Sequence, residues 1–440
     1  MKHKILRRVV GIAILLAFAQ STADIARENW RLHQAAVEYA QRDQPYSEVF
    51  SAPRYEEISL FYVDTSVELS LFEPPHGVYL GAYILSDGVV NGDITRFEQM
   101  MGRHSIYKYH LDITGGFPDE FVFDSAVRGR APFFVLERGE VRDDEEFMEL
   151  AEELAREFGY YFSPVFVQPP KPERGEDAAA YIARFVRVRE LFRRHAPHVA
   201  FVYAVDAADA EIAEDFYPGD EHVDWVGVRA MASMSPERPF EGDMLAAIDE
   251  VYFAFQERKP MFVSLGISRQ SCHDFIHRPR LAAAELERVY SALLADYPRI
   301  KGIIYMNFNE ISLNRGQNIR DNYLITDDDV LRSVYRELAS HPSVVNAVAV
   351  TGEDLSGGGL MRSRHGALRV GGVYYVSEQA LLDELRISRN RLRGRSRARN
   401  GARFYPFAPF VQSNEWVLQA HGSHITIVPT GAVTVGTGGV

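Results

Sequence analysis

The chain has 440 residues, 46% hydrophobic and 12% aromatic, a globular composition with length enough for one large domain and a small companion, or for two or three ordinary domains. A net charge of −13 argues against a protein built to bind nucleic acid. The lone cysteine, Cys272, excludes an intramolecular disulfide and any cysteine-based metal cluster, which suits a cytosolic protein or a secreted one too large to need staples.

At the N-terminus, Lys2, Lys4, Arg7 and Arg8 precede an apolar run over 9–19, with small residues at Ala17, Ala19, Ser21 and Ala23. A basic segment, a short apolar run and an Ala-x-Ala-like site form a secretory signal over 1–23, and the run is short for a membrane span. The expectation is an exported, extracytoplasmic protein, with an uncleaved N-terminal anchor as the alternative. No lipobox cysteine is present, so a lipoprotein is not expected. Residues 24–75 read as a mixed extension, with an exposed helix over 25–42, one or two strands over 58–71, and a stop at Pro74-Pro75.

From 76 to 341 the pattern alternates. Apolar strand-like runs fall at 78–85, 105–113, 132–137, 164–168, 199–205, 223–228, 260–266 and 300–307. Helical patterns lie between them, clearest at 143–158, 178–194, 242–258, 280–294 and 327–338. Asp143 and Asp144 open one helix and Asp327 to Asp329 another, where the helix dipole favours negative charge. Eight such units in uninterrupted alternation predict a (β/α)8 TIM barrel, an α/β fold, over an open doubly wound sheet. No strand is followed by a glycine-rich phosphate loop, so no nucleotide is expected.

Residues 342–440 change character: strands are predicted at 344–350, 367–376, 416–418 and 424–429, a short helix at 378–385, and a glycine-rich tail at 434–440. This reads as a small α+β or β-rich domain. Within it, 386–403 carries eight arginines and no acid. Such a block is either a solvated, mobile hairpin or an electrostatic contact for an anionic envelope polymer, acidic polysaccharide or lipid headgroups.

In a barrel, chemistry sits where strands end. The polar candidates there are His110, Asp112, Glu137, Arg138, Gln168, Asp206, Arg229, Ser264, Asn307, Asn309 and Glu310, with Tyr107, Tyr109, Tyr203, Trp225 and Tyr305 as aromatics. Aromatic faces, amides and carboxylates suit pyranose rings, whose C–H faces stack and whose hydroxyls demand paired donors and acceptors. Trp225 is either such a stacking surface or a core tryptophan with its N–H bonded; Asp224 beside it needs a partner. His104, His110, His222 and His277 lack metal-ligand spacing, so neither a metal nor another cofactor is expected. Cys272-His273-Asp274 is contiguous and therefore unsuited to a nucleophile–base–orienter geometry.

The run Tyr217-Pro218-Gly219-Asp220 through Val223-Asp224-Trp225-Val226-Gly227 resembles the sixth-strand signature of glycoside hydrolase family 26, the β-mannanase family. Gly81-Ala82-Tyr83, Thr95 to Glu98, 178–195, Lys259 to Val263 and 301–307 are similar to other parts of that family, in order. The resemblance implies a retaining glycosidase barrel with two catalytic glutamates about 5–5.5 Å apart. Here it implies the loss of both. The fourth strand ends Val167-Gln168-Pro169-Pro170, with Glu173 beyond its slot, and Ser264 stands where the family has its nucleophile. The expected activity is binding of a polysaccharide, a β-linked glycan, or of an envelope partner, without hydrolysis. Trp225, Tyr109, Tyr305, Gln168, Ser264, Asn307 and Asn309 are the expected contacts. The rival is an active β-glycanase using relocated acids, Glu137 and Glu310 with Asp206 as a third. A structural envelope protein whose barrel mouth is filled by its own side chains is the remaining alternative. The run Val370 to Leu385 also resembles, faintly, the copper amine oxidase N-terminal-like stalk domain, without implying copper or oxidase chemistry, since no histidine cluster accompanies it.

Overall fold

The computed structural model describes residues 55–429 apart from 65–66, 75, 161–163, 173–174, 234–241, 271–275, 311–320, 349–358, 371, 393, 414–415 and 422–423. The expected signal segment, the 25–42 helix, Glu173, the Cys272-His273-Asp274 triplet and the 434–440 tail lie outside the described residues.

Eight parallel strands form a closed ring: β2 (Val78–Tyr83), β3 (Ile106–Asp112), β4 (Ala131–Glu137), β5 (Val165–Gln168), β6 (Val199–Asp206), β7 (Trp225–Ala232), β8 (Met261–Ile267) and β9 (Ile300–Met306). Closure comes from β2 against β9, with Tyr79 opposite Gly302 and Tyr83 opposite Met306. The strands are apolar along nearly their whole length because both faces are covered, the inner by the barrel core and the outer by helices. The helices follow the predicted start signals. Asp143 accepts from the amides of Glu145 and Glu146 at the head of Asp144–Phe158, and Asp328 caps Asp329–Ala339 in the same way.

Side chains alternate strictly. Tyr79, Ile106, Phe133, Phe166, Val202, Trp225, Phe262 and Ile304 fill the interior, while Tyr107, Phe134, Val167, Tyr203, Val226, Val263 and Tyr305 face the helices. The interior is an aromatic stack: Phe262 lies 4.4 Å from Trp225 and 5.1–5.2 Å from Phe166 and Phe133, ring centre to ring centre. Gly302 makes room for it, since a Cβ there would meet the Phe262 ring at 2.2 Å.

Below this stack, at the N-terminal ends of the strands, residues 70–73 close the barrel. The Trp225 indole donates to Leu71 O (2.7 Å), the Tyr79 hydroxyl donates to Phe72 O (3.0 Å), and Phe72 packs edge-on against Phe166. Glu73 and Arg299 form an ion pair there, both almost fully buried, with Ser70 N donating to the second carboxylate oxygen.

The second sheet runs β14 (Arg397–Arg399), β15 (Ala402–Pro406), β13 (Val373–Ser377), β12 (Ala367–Val370), β1 (Tyr55–Asp64), β17 (His424–Pro429), β16 (Trp416–His421), with β11 (Gly359–Arg362) beside β1. Its central strand is β1, parallel to β17 and antiparallel to β11. The predicted boundary at 342 therefore divides the chain differently from the sheet, which takes a strand from the N-terminal extension. Conversely, β10 (Val344–Val345) pairs with barrel strand β2. Ile58, Leu60 and Tyr62 alternate into a core with Met361, Val376, Leu381, Phe407, Ile425 and Ile427. The predicted 378–385 helix ends as a π-turn over Ala380–Glu384. This sheet is tied to the barrel through Gln256, whose side chain exchanges two hydrogen bonds with the Arg362 backbone (2.9 and 3.1 Å). The Tyr62 hydroxyl donates to Glu257 (2.9 Å). No described helix is long and apolar enough to cross a membrane.

Removing one member of a buried ion pair strands the other charge. Glu73→Ala should therefore lower unfolding free energy by about 3–5 kcal/mol in urea denaturation. A loss below about 1 kcal/mol, the size of a surface pair, would show that the barrel floor does not depend on it.

Candidate functional site

The alternation that buries Trp225 at one end of the barrel decides what reaches the other. Tyr83 on β2, Lys108 and His110 on β3, Glu137 on β4, Gln168 on β5, Arg229 on β7 and Ser264 on β8 point inward at the C-terminal ends. With Lys171 and Glu310 from the following loops, they line a cavity of about 400 Å³. Phe133 and Phe262, the top of the aromatic stack, form its floor, and Tyr83 and Phe308 stand edge to face on one wall.

Lys108 sits deepest of the charged groups, 6% exposed. Its Nζ donates to Ser264 Oγ at 2.9 Å and lies 4.8 Å over the Phe133 ring. Burial pushes its amine down to about 7, and the positive charges of Lys171 and Arg229 push the same way against Asp206. Asp206 itself is held by Lys171 (2.5 Å) and Arg229 (3.5 Å). Burial also lowers Lys171, against the pull of Asp206. On the rim, His110 Nδ1 donates to Glu137 at 2.7 Å. Burial lowers the imidazole despite that bond. A neutral ring that donates from Nδ1 keeps a lone pair on Nε2.

The predicted site residues divide. Gln168, Ser264, Glu137 and Glu310 meet at the cavity. Asp206 lines an adjoining cavity of about 410 Å³ that shares Arg229. Trp225 is fully buried at the opposite end of the barrel, so it is core and offers no face to a ligand in the mouth. Tyr109 and Tyr305 have the outward parity. Tyr109 packs on Phe121 and Phe134, and the Tyr305 hydroxyl donates to Tyr323 O (2.9 Å). Asn307 is fully buried, donating to Asp87 (2.7 Å) and accepting from Ile325 N (2.9 Å), which fixes the last strand to its loop. Asn309 bridges to Asn322 and does not line the cavity. His104 is a core residue, 2.7 Å from the Tyr335 hydroxyl. Among the described residues, no group of three or more His, Cys, Asp and Glu side chains is placed to hold a metal.

Lys108 and Lys171 are absent from the residues predicted by sequence. The available signal is Lys108 two places before His110 in an apolar strand, where alternation puts both on one face. The 386–403 block contains a hairpin, β14 (Arg397–Arg399) and β15 (Ala402–Pro406), turning at Asn400-Gly401. Arg389 and Arg403 reach Glu378, and Arg399 reaches Glu57 at 3.0 Å.

No protein-family model and no curated protein matches the chain. Among solved structures, it is similar to a GH26 β-mannanase from Bacteroides ovatus, at 12% identity and TM-score 0.44 over 64% of this chain and 93% of that one. An endo-β-1,4-mannanase from Cellulomonas fimi is similar at 13% identity and TM-score 0.44, over 77% and 94%. A β-glucuronidase from Bacteroides uniformis is similar at 13% identity and TM-score 0.46, over 64% and 37%. At TM-scores below 0.5 none of these likenesses bears on the chemistry of the site, which rests on its own geometry.

A buried amine held near 7 binds fewer protons than in the unfolded chain, so this group makes the fold more stable as pH rises from about 7 toward the ordinary lysine range near 10.4. Lys108→Met should thus stabilise the protein at pH 7 relative to wild type, by about 1–3 kcal/mol, with the advantage shrinking by pH 10. Paired urea titrations at both pH values measure this. An advantage that does not change with pH would contradict the assignment.

Proposed function

We propose that the barrel mouth holds a saccharide ligand without hydrolysing it. One observation carries this reading: the innermost polar groups are the Lys108 amine, the Ser264 hydroxyl and the Gln168 amide, with no carboxylate among them. Glycoside hydrolysis passes through an oxocarbenium-like transition state, whose developing positive charge needs a carboxylate beside it. The floor supplies an amine and a hydroxyl in place of that carboxylate, and Arg229 beside them brings positive charge where negative charge is needed. Glu137 is engaged by His110, and Asp206 by Lys171 and Arg229. In this reading Ser264 stands in place of the nucleophile glutamate of the family 26 pattern, and the fourth strand, ending Gln168-Pro169-Pro170, carries no glutamate in the acid/base slot. Aromatic faces at Tyr83, Phe308 and Phe262, beside an amide and a hydroxyl, suit the stacking and hydrogen bonding of a bound sugar ring.

The secretory-type N-terminus supports an extracytoplasmic setting, where such a ligand would be a β-linked glycan of a cell wall or capsule. The arginine-rich hairpin adds contact with an anionic envelope polymer.

Incubation with mannan or mixed-linkage glucan should release no reducing ends. Affinity electrophoresis should show retention that drops about 10-fold in Tyr83→Ala, the loss of one stacking contact. Glu137 and Glu310 line the same cavity, and reducing-end release abolished by Glu137→Gln or Glu310→Gln would overturn this reading in favour of relocated catalytic acids. Binding through the hairpin should weaken steeply between about 0.05 and 0.5 M salt on a polyanionic resin, because exposed charges are screened. Salt-independent retention would exclude an electrostatic contact.

A further inference from the structure

The positive charges of this chain are almost all arginine. Of 48 lysines and arginines, only Lys2, Lys4, Lys108, Lys171, Lys259 and Lys301 are lysines. Two of these line the mouth cavity. An arginine stays charged at any physiological pH, whereas a buried lysine can lose its proton and become a nucleophile.

We propose that Lys108 is an amine nucleophile, whose Nζ condenses with the carbonyl carbon of an aldehyde or ketone in the barrel mouth to form an imine. The geometry supplies what that step needs. The amine faces an open cavity through an aromatic floor, and its hydrogen-bond partner is a neutral hydroxyl, Ser264. Asp206, the carboxylate that acts on it, is already bound to Lys171. The positive neighbours Lys171 and Arg229 favour the uncharged amine, as does burial. Two residues along the same inward face, His110 is oriented by Glu137. Lys301 marks the contrast. It is also buried and lowered, to about 8, but beside Glu73 and Arg299 at the closed end, and it does not line the cavity.

In the step, the Nζ lone pair attacks the carbonyl carbon and a C–N bond forms. His110 Nε2 accepts one proton from nitrogen and hands it to the carbonyl oxygen, which becomes a hydroxyl. The remaining N–H proton then passes by way of the same imidazole to the departing hydroxyl, the C–O bond breaks as the C=N bond forms, and water leaves. The products are imine and water, with no oxidant or reductant consumed. The open-chain aldehyde of a reducing sugar belongs to this substrate class, as do small oxo compounds. The inference stands whether or not the mouth also retains a glycan.

The test is reductive trapping of the full chain with glycolaldehyde and sodium cyanoborohydride at pH 7, followed by peptide mapping. The expected result is a hydroxyethyl adduct on Lys108 at about 10-fold or greater occupancy over Lys171, Lys259 and Lys301, since Lys171 is bound to Asp206, Lys259 donates to Asp220 O, and Lys301 lies at the closed end away from the cavity. The wild-type map decides without a variant. Lys108→Arg, checked by circular dichroism, should lose the adduct and gain none elsewhere. His110→Asn should slow trapping at Lys108 by about 10-fold or more if the imidazole moves the proton. Equal labelling of all four lysines, or preferential labelling of Lys171, overturns the proposal. An unchanged rate in His110→Asn overturns the role given to His110.

Discussion

Everything in this molecule depends on the pairing of the first barrel strand with the last. Joining β2 to β9 removes both sheet edges and fixes which residues of each strand face inward. Once that parity is set, the interior order follows. Phe72 and Glu73 close one end, the rings of Trp225, Phe166, Phe262 and Phe133 fill the middle, and Lys108, Gln168 and Ser264 face the mouth. Shifting β3 by one residue would exchange Lys108 for Tyr107 or Tyr109 and drive a charge among the helices.

The two ends handle charge by opposite means. At the closed end, the Arg299 guanidinium meets Glu73 directly, so the buried charges are matched. At the open end, Lys108 has a hydroxyl and a ring face, while Asp206, the acid that acts on it, is occupied by Lys171 and Arg229. Matched burial serves the fold, whereas unmatched burial of an amine is a cost that stability alone does not explain. Its position beside a cavity gives the cost a chemical use.

The fold was legible in the sequence because its signal is repetitive. Each strand is an apolar run, five barrel helices open on an aspartate cap (Asp93, Asp143, Asp177, Asp243 and Asp328), and eight units accumulate evidence for closure. The partner demanded by Asp224 exists too: it accepts from Phe201 N at 2.7 Å and lies 3.3 Å from Arg189. The site was legible only in part. Gln168, Ser264, Glu137 and Glu310 line the mouth cavity because each stands in a strand, at its C-terminal end or just beyond it, and a sequence pattern locates such positions. Trp225, Tyr109 and Tyr305 lie away from the mouth because parity, which residue type does not reveal, turns them into the core and the helix interface: aromatic side chains fill both as readily as they line sugar grooves. Lys108 leaves little signal, because a lysine inside an apolar strand reads as an interruption until its neighbours across the ring are known. Equally hidden was the role of β1, since a strand that joins a sheet formed some 300 residues later leaves no local mark.

The central claim is that the chemistry of the mouth is that of a buried amine. Its most direct measurement is an NMR titration of protein carrying isotope-labelled lysine, in which six residues make assignment tractable. The account predicts that the Lys108 side-chain resonance titrates near 7 and moves upward when Asp206 is freed by Lys171→Met. A Lys108 that titrates near 10, as a solvated lysine does, would contradict it.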